Sequence, residues 1–524
     1  MLVDLILHNA TIYTVDTSFS TAEAVAIQGD RIVAVGTNEE ILGAYKAKET
    51  RDLQGQFAYP GFIDAHVHLS RYGRSCFEVD LKGAGSWAEC VDRMRQQADV
   101  QPEGWLIGRG WDQTRWADGQ FPDNKLLNEH FPNRPVILER VDIHAIVVNQ
   151  YLLNLSGITP ESEISGGEIR KRDGELTGLL IDHAQKPVWD LLPEPSDDEL
   201  KKYLRKAAWD CCKVGLTSVG DALLDHKALE AIRSLQNADE FPLRVYGMLP
   251  SDDFHRNTYL KAGPQSDLWL HLGAFKLFAD GTFGSRSAWL REPYADAPDQ
   301  CGLLMLDEQE TLDWLRECHV HHWQVATHTI GDAAASWVMD LYEKAMDSDN
   351  SLRWRIEHLQ MLSPRDLDRL GKLKILASIQ PTHTTSDMRW IEDRLGVDRK
   401  VWAHRQASIL EKCGRIALGS DFPVESINPL LGFYAAVTRQ DLSGWPQNGY
   451  IPEERISRID ALRGMTIWAA YAQGEERQKG SLEPGKLADI VVLDQDLLSA
   501  GIEQIPGLNP QQIILGGRMI GSDG

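Results

Sequence analysis

Several things are missing from this chain, and each absence removes a class of function. There is no Gly-x-Ser-x-Gly elbow, the sharp turn that presents the serine of many metal-independent hydrolases, and no cysteine stands at a helix start where its thiol would be activated. Cysteine is sparse and odd in number, seven in 524 residues with Cys211 and Cys212 adjacent, so no disulfide framework is expected and a reducing compartment is. Basic residues are outnumbered, 54 Lys and Arg against 77 Asp and Glu, and the net charge of −23 repels nucleic acid and anionic lipid at long range. No apolar run has the length of a bilayer span. The opening MLVDLILHNATIYTVD lacks both a basic n-region and a small-residue cleavage site. These absences lead us to expect a cytoplasmic protein with a small-molecule substrate, no nucleic-acid partner and no membrane anchor. Internal repeats and low-complexity tracts are also lacking.

What remains is an ordinary globular composition, 43% hydrophobic and 25% charged, in a chain too long for one common domain but fitting a barrel with additional modules. The first sixty residues read as short strands, 5–15, 24–27 and 31–35, the last after the turn Gly29-Asp30. The final fifty repeat that style, with strands at 488–493 after Glu483-Pro484-Gly485 and at 513–520 around Gly516-Gly517, so the two ends are expected to complete one sheet. Between them apolar runs alternate with amphipathic helices. The runs lie at 62–68, 215–221, 243–248, 273–279, 323–328, 352–358, 373–380 and 415–421, and eight is the number that closes a barrel. Helices are predicted at 197–213, 311–318, 333–346 and 364–370, the last capped by Ser363. The first connection alone breaks the rhythm. Running over 70–195, with strand signals at 136–139 and a turn at Gly166-Gly167, it implies an inserted subdomain over the barrel mouth. The expected fold is therefore α/β, a TIM-like (β/α)8 barrel at 61–474, with a composite β-sandwich domain from 1–60 plus 475–524 and an inserted α+β subdomain at 70–195 after the first barrel strand.

The strongest chemical signal is Pro60-Gly61-Phe62-Ile63-Asp64-Ala65-His66-Val67-His68. A period of two places Phe62, Asp64, His66 and His68 on one face of a strand, while Ile63, Ala65, Val67 and Leu69 make the other face wholly apolar. In a barrel the apolar face packs under the helices, so both imidazoles reach the C-terminal mouth where such active sites form. An isolated His-x-His is as often a hydrogen-bonded pair as a metal site. Here it has company: His328 ends the fifth run, His358 the sixth and Asp421 the eighth. Four histidines and an aspartate at strand ends suit zinc or a neighbouring divalent metal, which would lower the pKa of water towards about 7. Asp421 is the candidate general base that passes its proton to a leaving amine, against the commoner role of a turn residue ahead of Pro423.

Lys276 lies inside the apolar run Ala274-Phe275-Lys276-Leu277-Phe278-Ala279, where an unpaired ammonium is costly to bury. It must be paired, neutral or modified: a buried ion pair with Asp280 or Asp421 is the simpler account, and a metal-bridging carbamate the chemically active one. The second His-x-His, His319-Val320-His321-His322, closes a helix, where residues i and i+2 do not share a face, and reads as C-terminal helix polarity. His183, His226, His255 and His404 read as surface or packing residues.

Taken together these residues resemble the amidohydrolase superfamily: His-x-His on the first barrel strand, lysine on the fourth, histidines on the fifth and sixth, aspartate on the eighth. Longer stretches, Phe275-Lys276-Leu277-Phe278-Ala279-Asp280-Gly281, Gly284-Ser285-Arg286, His328-Thr329-Ile330-Gly331-Asp332, Arg355-Ile356-Glu357-His358, Gln380-Pro381-Thr382-His383 and Gly419-Ser420-Asp421-Phe422-Pro423, are similar to the branch that contains N-substituted formamide deformylase. So are Gly480-Ser481-Leu482-Glu483-Pro484-Gly485-Lys486-Leu487-Ala488-Asp489 and, in the insertion, Arg140-x-Asp142-x-His144 with Asn149. The resemblance implies one or two divalent ions, zinc first, with His66, His68 and Asp421 holding one, His328 and His358 another, and carbamylated Lys276 bridging. Size and family suggest a homodimer. One departure is Ala333, where related sequences often carry arginine, which removes an anion contact there.

For the substrate the chain offers shape alone. Trp105, Trp111 and Trp116, near Arg109, Asp112 and Arg115, would stack on a substituent or form the insertion's own core. His383 and Arg286, beside strand-end loops, would polarise the scissile carbonyl or support the site from behind. The expected reaction is hydrolysis of a small N-acyl or N-formyl amide. The same metal site would also serve a cyclic amide, a lactone, an ester or a deamination, and a barrel that has lost catalysis would show gaps in a ligand set that here has none.

Overall fold

A computed structural model describes residues 1–113, 116–141, 145–164, 167–346 and 349–521. All eight expected runs form strands of one parallel sheet. We label them β1 (Phe62–Val67), β2 (Leu216–Asp221), β3 (Arg244–Pro250), β4 (Leu270–Phe278), β5 (Gln324–Thr329), β6 (Arg355–His358), β7 (Leu376–Ile379) and β8 (Ile416–Leu418). Each is hydrogen-bonded to its neighbour in chain order from β1 to β8. The sheet comes round on itself just past the end of β8, where the Asp421 amide donates to the His66 carbonyl (2.8 Å) and the His68 amide to the Phe422 carbonyl (2.9 Å). This is a (β/α)8 barrel, built from strands buried on both faces.

The intervening helices start where capping chemistry allows. Ser363 accepts from the Asp366 amide to open Pro364–Lys372, and Asp307 accepts from Glu310 to open Glu308–Val320. The helix over Asp197–Lys213 begins with Asp197, Asp198 and Glu199, which favour its positive N-terminal end. As expected, the second His-x-His falls at the close of Glu308–Val320, with His321 as its cap.

The two chain ends complete one sheet together, as expected, and the N-terminal segment builds another beside it. Leu2–His8, Ala24–Gln28, Arg31–Gly36 and Lys46–Asp52 form a four-stranded sheet wholly from the N-terminal segment. The second has six strands and is composite: Ile490–Leu493 pairs antiparallel with Phe57–Pro60 on one side and with Gln512–Leu515 on the other. Leu5, Leu7, Val25 and Ile27 of the first sheet share an apolar core with Ile12, Ala58, Ile490, Val492 and Ile514 of the second, which makes the pair a β-sandwich. Residues 5–15 divide into Leu2–His8 and Thr11–Tyr13 because Asn9, at φ 57°, turns the chain from one sheet to the other. Barrel and sandwich belong to one compact unit, 1–72 with 204–524.

The long connection forms a second compact unit, 73–203, with its own six-stranded sheet including Leu106–Trp111, Val136–Arg140 and Glu175–Asp182. Its core contains Trp111 and Trp116, stacked with ring centres 6.0 Å apart, beside Leu127, Val136 and Val147. Their indole nitrogens donate to the Leu138 and Ala84 carbonyls, and Trp105 packs at the edge of a second cluster. The insertion-core reading of the tryptophans therefore holds. Arg109 is clamped between Glu78 and Glu139. Asn149, fully buried, caps Gln150–Leu155 and donates to the Phe131 and Arg134 carbonyls. Arg115, Asp142, His144 and Gly166 lie outside the described residues.

Candidate metal centre

The C-terminal ends of β1, β4, β5 and β6 and the segment after β8 deliver the cluster. His66 is on β1 and His68 one residue beyond it. Lys276 is near the end of β4, His328 near the end of β5, His358 is the last residue of β6, and Asp421 follows β8. The bonds that close the barrel between His66 and Asp421 bring the aspartate to the paired histidines: Asp421 Oδ1 lies 3.2 Å from His68 Nε2 and 3.8 Å from His66 Nε2. The His358 ring is 4.8 Å from that of His66 and 4.4 Å from that of His328, centre to centre. Two members, His358 (φ 73°) and Asp421 (φ 62°), hold left-handed backbone, a conformation that costs about 1 kcal/mol or more and accumulates at functional sites.

Electrostatics leaves the cluster in a ligating form. Burial, reinforced by the nearby Lys276, brings His66 down to about 4 against the pull of Glu357, and His328 down to about 3. His358 is held well below the ordinary histidine value by burial and by the other two imidazoles. All three are neutral at neutral pH, the state in which a ring nitrogen offers a lone pair. Asp421 behaves oppositely: burial would raise its carboxyl, but His68, His66 and His383 outweigh that and keep it ionised.

A divalent ion fits these donors. His66, His358 and Asp421 each offer one ligand atom, all within 4.8 Å of one another. Asp421 Oδ1 and Lys276 Nζ are buried without a hydrogen-bond partner, which is rare for polar atoms unless a ligand or water is their partner. Three imidazoles, a carboxylate and an amine are nitrogen and oxygen donors of the kind zinc takes.

Neither ion pair suggested for Lys276 forms. Both oxygens of Asp280 are engaged by the Ile330, Gly331 and Trp289 amides, so this carboxylate braces the loops after β4 and β5. Lys276 is 1% exposed, and burial drives its amine to about 8 despite the attraction of Glu357 and Asp421. His383 lies on Pro381–Asp387, just past β7, with Nε2 3.7 Å from Asp421 Oδ2. Arg286 is not brought into the cluster. Its guanidinium pairs with both oxygens of Asp296 at 3.0 and 2.8 Å. His226, His255 and His404 are held in local pairs with Tyr259, Asp252 and Asp387.

Residues given no role from the sequence support the cluster. Glu357 bonds His66 Nδ1 at 2.5 Å, the Gln380 amide oxygen lies 2.7 Å from His358 Nδ1, and Gln360 Nε2 lies 3.0 Å from His383 Nδ1. One signal was available. Arg355 and Glu357 are opposite charges two apart in a strand that should be apolar, hence on one inward face.

A parallel barrel with a buried histidine and carboxylate cluster at its strand ends has the architecture of a metal-dependent hydrolase. Residues 49–520 match the family model described as the amidohydrolase family, and the chain belongs to that family. It is 35% identical to the protein LONG AFTER FAR-RED 3 of Arabidopsis thaliana, over 94% of this chain and 87% of that protein. Against the N-substituted formamide deformylase of Arthrobacter pascens it is 30% identical, over 94% of each. The crystal structure of an uncharacterized metal-dependent hydrolase from Pyrococcus horikoshii superposes with a TM-score of 0.81 at 27% identity, covering 95% of this chain and 99% of that one. Among the described residues, no helix is long and apolar enough to cross a membrane.

Proposed function

We propose that this enzyme hydrolyses the C–N bond of a small N-formyl or N-acyl amide. The observation that carries the reading is the buried set of neutral imidazoles around an ionised Asp421, with ligand atoms within 4.8 Å of one another. The likeness to the A. pascens deformylase along nearly the whole of both chains supports an amide-type substrate. His66, His68 and Asp421 would hold one ion, His328 and His358 a second, with Lys276 between them and zinc as the metal. When bound, such an ion supplies Lewis acidity and acidifies water.

The protein's own groups account for the proton traffic. Water adds its oxygen to the carbonyl carbon and gives a proton to the Asp421 carboxylate; the C–N bond then breaks as Asp421 returns that proton to nitrogen, releasing acid and amine. His383 is prepared to donate. Because the Gln360 amide donates to Nδ1, the ring proton sits on Nε2, facing the reacting region near Asp421, where it would stabilise the oxygen that gains charge. Lys276, with its amine value near 8, has a neutral fraction whose nitrogen would add to carbon dioxide and release a proton, giving an anionic carbamate that would serve as an oxygen donor to a divalent ion. Arg286, occupied by Asp296, supports the loop after β4 and takes no part in the chemistry.

The test is the metal content of the purified protein and of a His66→Ala/His68→Ala variant, followed by assay of the zinc-loaded wild type for formate and free amine from N-formyl and N-acyl amines. We expect zinc in the wild type, its loss in the variant and amine release by the wild type alone. A protein that takes up no metal after reconstitution rules the mechanism out. One that binds zinc but releases amine from none of these compounds overturns the substrate class.

A further inference from the structure

Arg355, Glu357 and His66 form a line of contacts sealed inside the barrel. Arg355 and Glu357 are wholly buried and His66 is 1% exposed. They alternate with Ile356 on β6, so both charges point to the barrel interior. The Arg355 Nε donates to Glu357 Oε1, and its Nη2 donates to the Ala65 carbonyl at 2.8 Å, the backbone group just before His66. Glu357 Oε2 meets His66 Nδ1 at 2.5 Å. One guanidinium thus orients the carboxylate and grips the strand that carries the histidine.

We propose that Glu357 is a positioning residue which, held by Arg355, fixes His66 in the tautomer whose Nε2 lone pair faces the metal centre. The inference rests on the metal-site reading above. A carboxylate paired with guanidinium accepts hydrogen bonds and donates none, so the proton of the His66 ring must lie on Nδ1. Nε2, 3.8 Å from Asp421 Oδ1, is left unprotonated and aimed at the cluster. Glutamine at position 357 reverses this. Arg355 has donors only and therefore captures the amide oxygen, which leaves the NH2 group facing His66 Nδ1 and moves the ring proton to Nε2. Removing the arginine as well frees the glutamine to rotate and present its oxygen to His66. The two substitutions should therefore be strongly non-additive.

The experiment titrates zinc against a competing chelator, and records the visible spectrum of the cobalt(II)-loaded protein, for wild type, Glu357→Gln and Arg355→Met/Glu357→Gln, with folding checked by circular dichroism. We expect zinc affinity to fall about 10- to 100-fold in Glu357→Gln, the range typical of lost metal-supporting hydrogen bonds, and to recover largely in the double variant. Should Glu357→Gln fail to fold beside an uncompensated arginine, the comparison becomes Arg355→Met/Glu357→Gln against Arg355→Met/Glu357→Leu, and the leucine variant, having no acceptor, binds zinc more weakly. Wild-type protein that binds and a Glu357→Gln variant that binds equally well, with an unchanged cobalt spectrum, overturns the positioning role alone. Equal affinity of the two double variants does the same. Wild-type protein that binds neither metal removes the site reading and this inference with it.

Discussion

The insertion and the barrel mouth both bury charged and aromatic groups, and they treat them in opposite ways. In the insertion Arg109 lies between Glu78 and Glu139, and the Trp111 and Trp116 indoles donate to backbone carbonyls within an apolar cluster, so these three are matched. At the ends of the barrel strands Lys276 Nζ, Asp421 Oδ1 and His383 Nε2 are buried with no hydrogen-bond partner. Matched groups contribute to folding, whereas unmatched ones cost stability unless something binds there. The difference separates residues that hold a structure from residues prepared for a ligand, although both kinds look equally improbable in an apolar sequence.

Four substitutions probe that contrast. Asp421→Asn should have the largest effect, lowering kcat by about 1,000-fold or more through loss of the proton acceptor while the far-ultraviolet circular dichroism stays native. Steady-state rates on an N-formyl amine check this, and a loss under tenfold removes Asp421 from the chemistry. Trp111→Ala should act on folding instead, costing about 3–5 kcal/mol in urea unfolding with zinc content per folded molecule unchanged. Loss of zinc in the folded variant would mean that the tryptophan serves the site.

Lys276→Met tests the middle ground. It removes an unmatched buried amine, so the metal-free protein should gain about 1–3 kcal/mol while activity is lost. The pH dependence gives the sign. In the folded chain this amine releases its proton near 8, and in the unfolded chain near 10.5. Below about pH 8 both states are protonated and the penalty of burying an ammonium is fully present. Between the two values the unfolded chain binds more protons, so this group makes stability rise with pH. Chemical denaturation of the metal-free protein across that window should show the rise in wild type and lack it in Lys276→Met; identical profiles would mean that the amine is already paired. The smallest effect belongs to Arg286→Ala, under about 1 kcal/mol for a part-exposed ion pair and less than threefold in kcat/KM. A larger kinetic loss would return Arg286 to the catalytic set.

Much of this was legible before folding was considered. The ligand types stand at the ends of apolar runs, because a barrel strand buries both faces and its C-terminal end opens at the mouth where active sites form. The eight strands and the ends of several helices followed from the same periodicity. The account of Lys276 did not, because the choice between Asp280, Asp421 and no partner depends on three amides, those of Trp289, Ile330 and Gly331, that claim Asp280 from the loops after β4 and β5. The place of Arg286 was not legible for a similar reason: it stands beside strand-end loops, and Asp296, ten residues on, takes its guanidinium.

By itself, then, the sequence determined the eight-stranded barrel, the inserted segment and the side chains able to ligate a metal, since periodicity and residue chemistry are local properties. Only the tertiary structure decided which of those groups are neutral, which are matched and which are left open. Those outcomes depend on contacts between residues hundreds of positions apart, such as His66 with Glu357 and with Asp421, and on how deeply the closed barrel removes them from water.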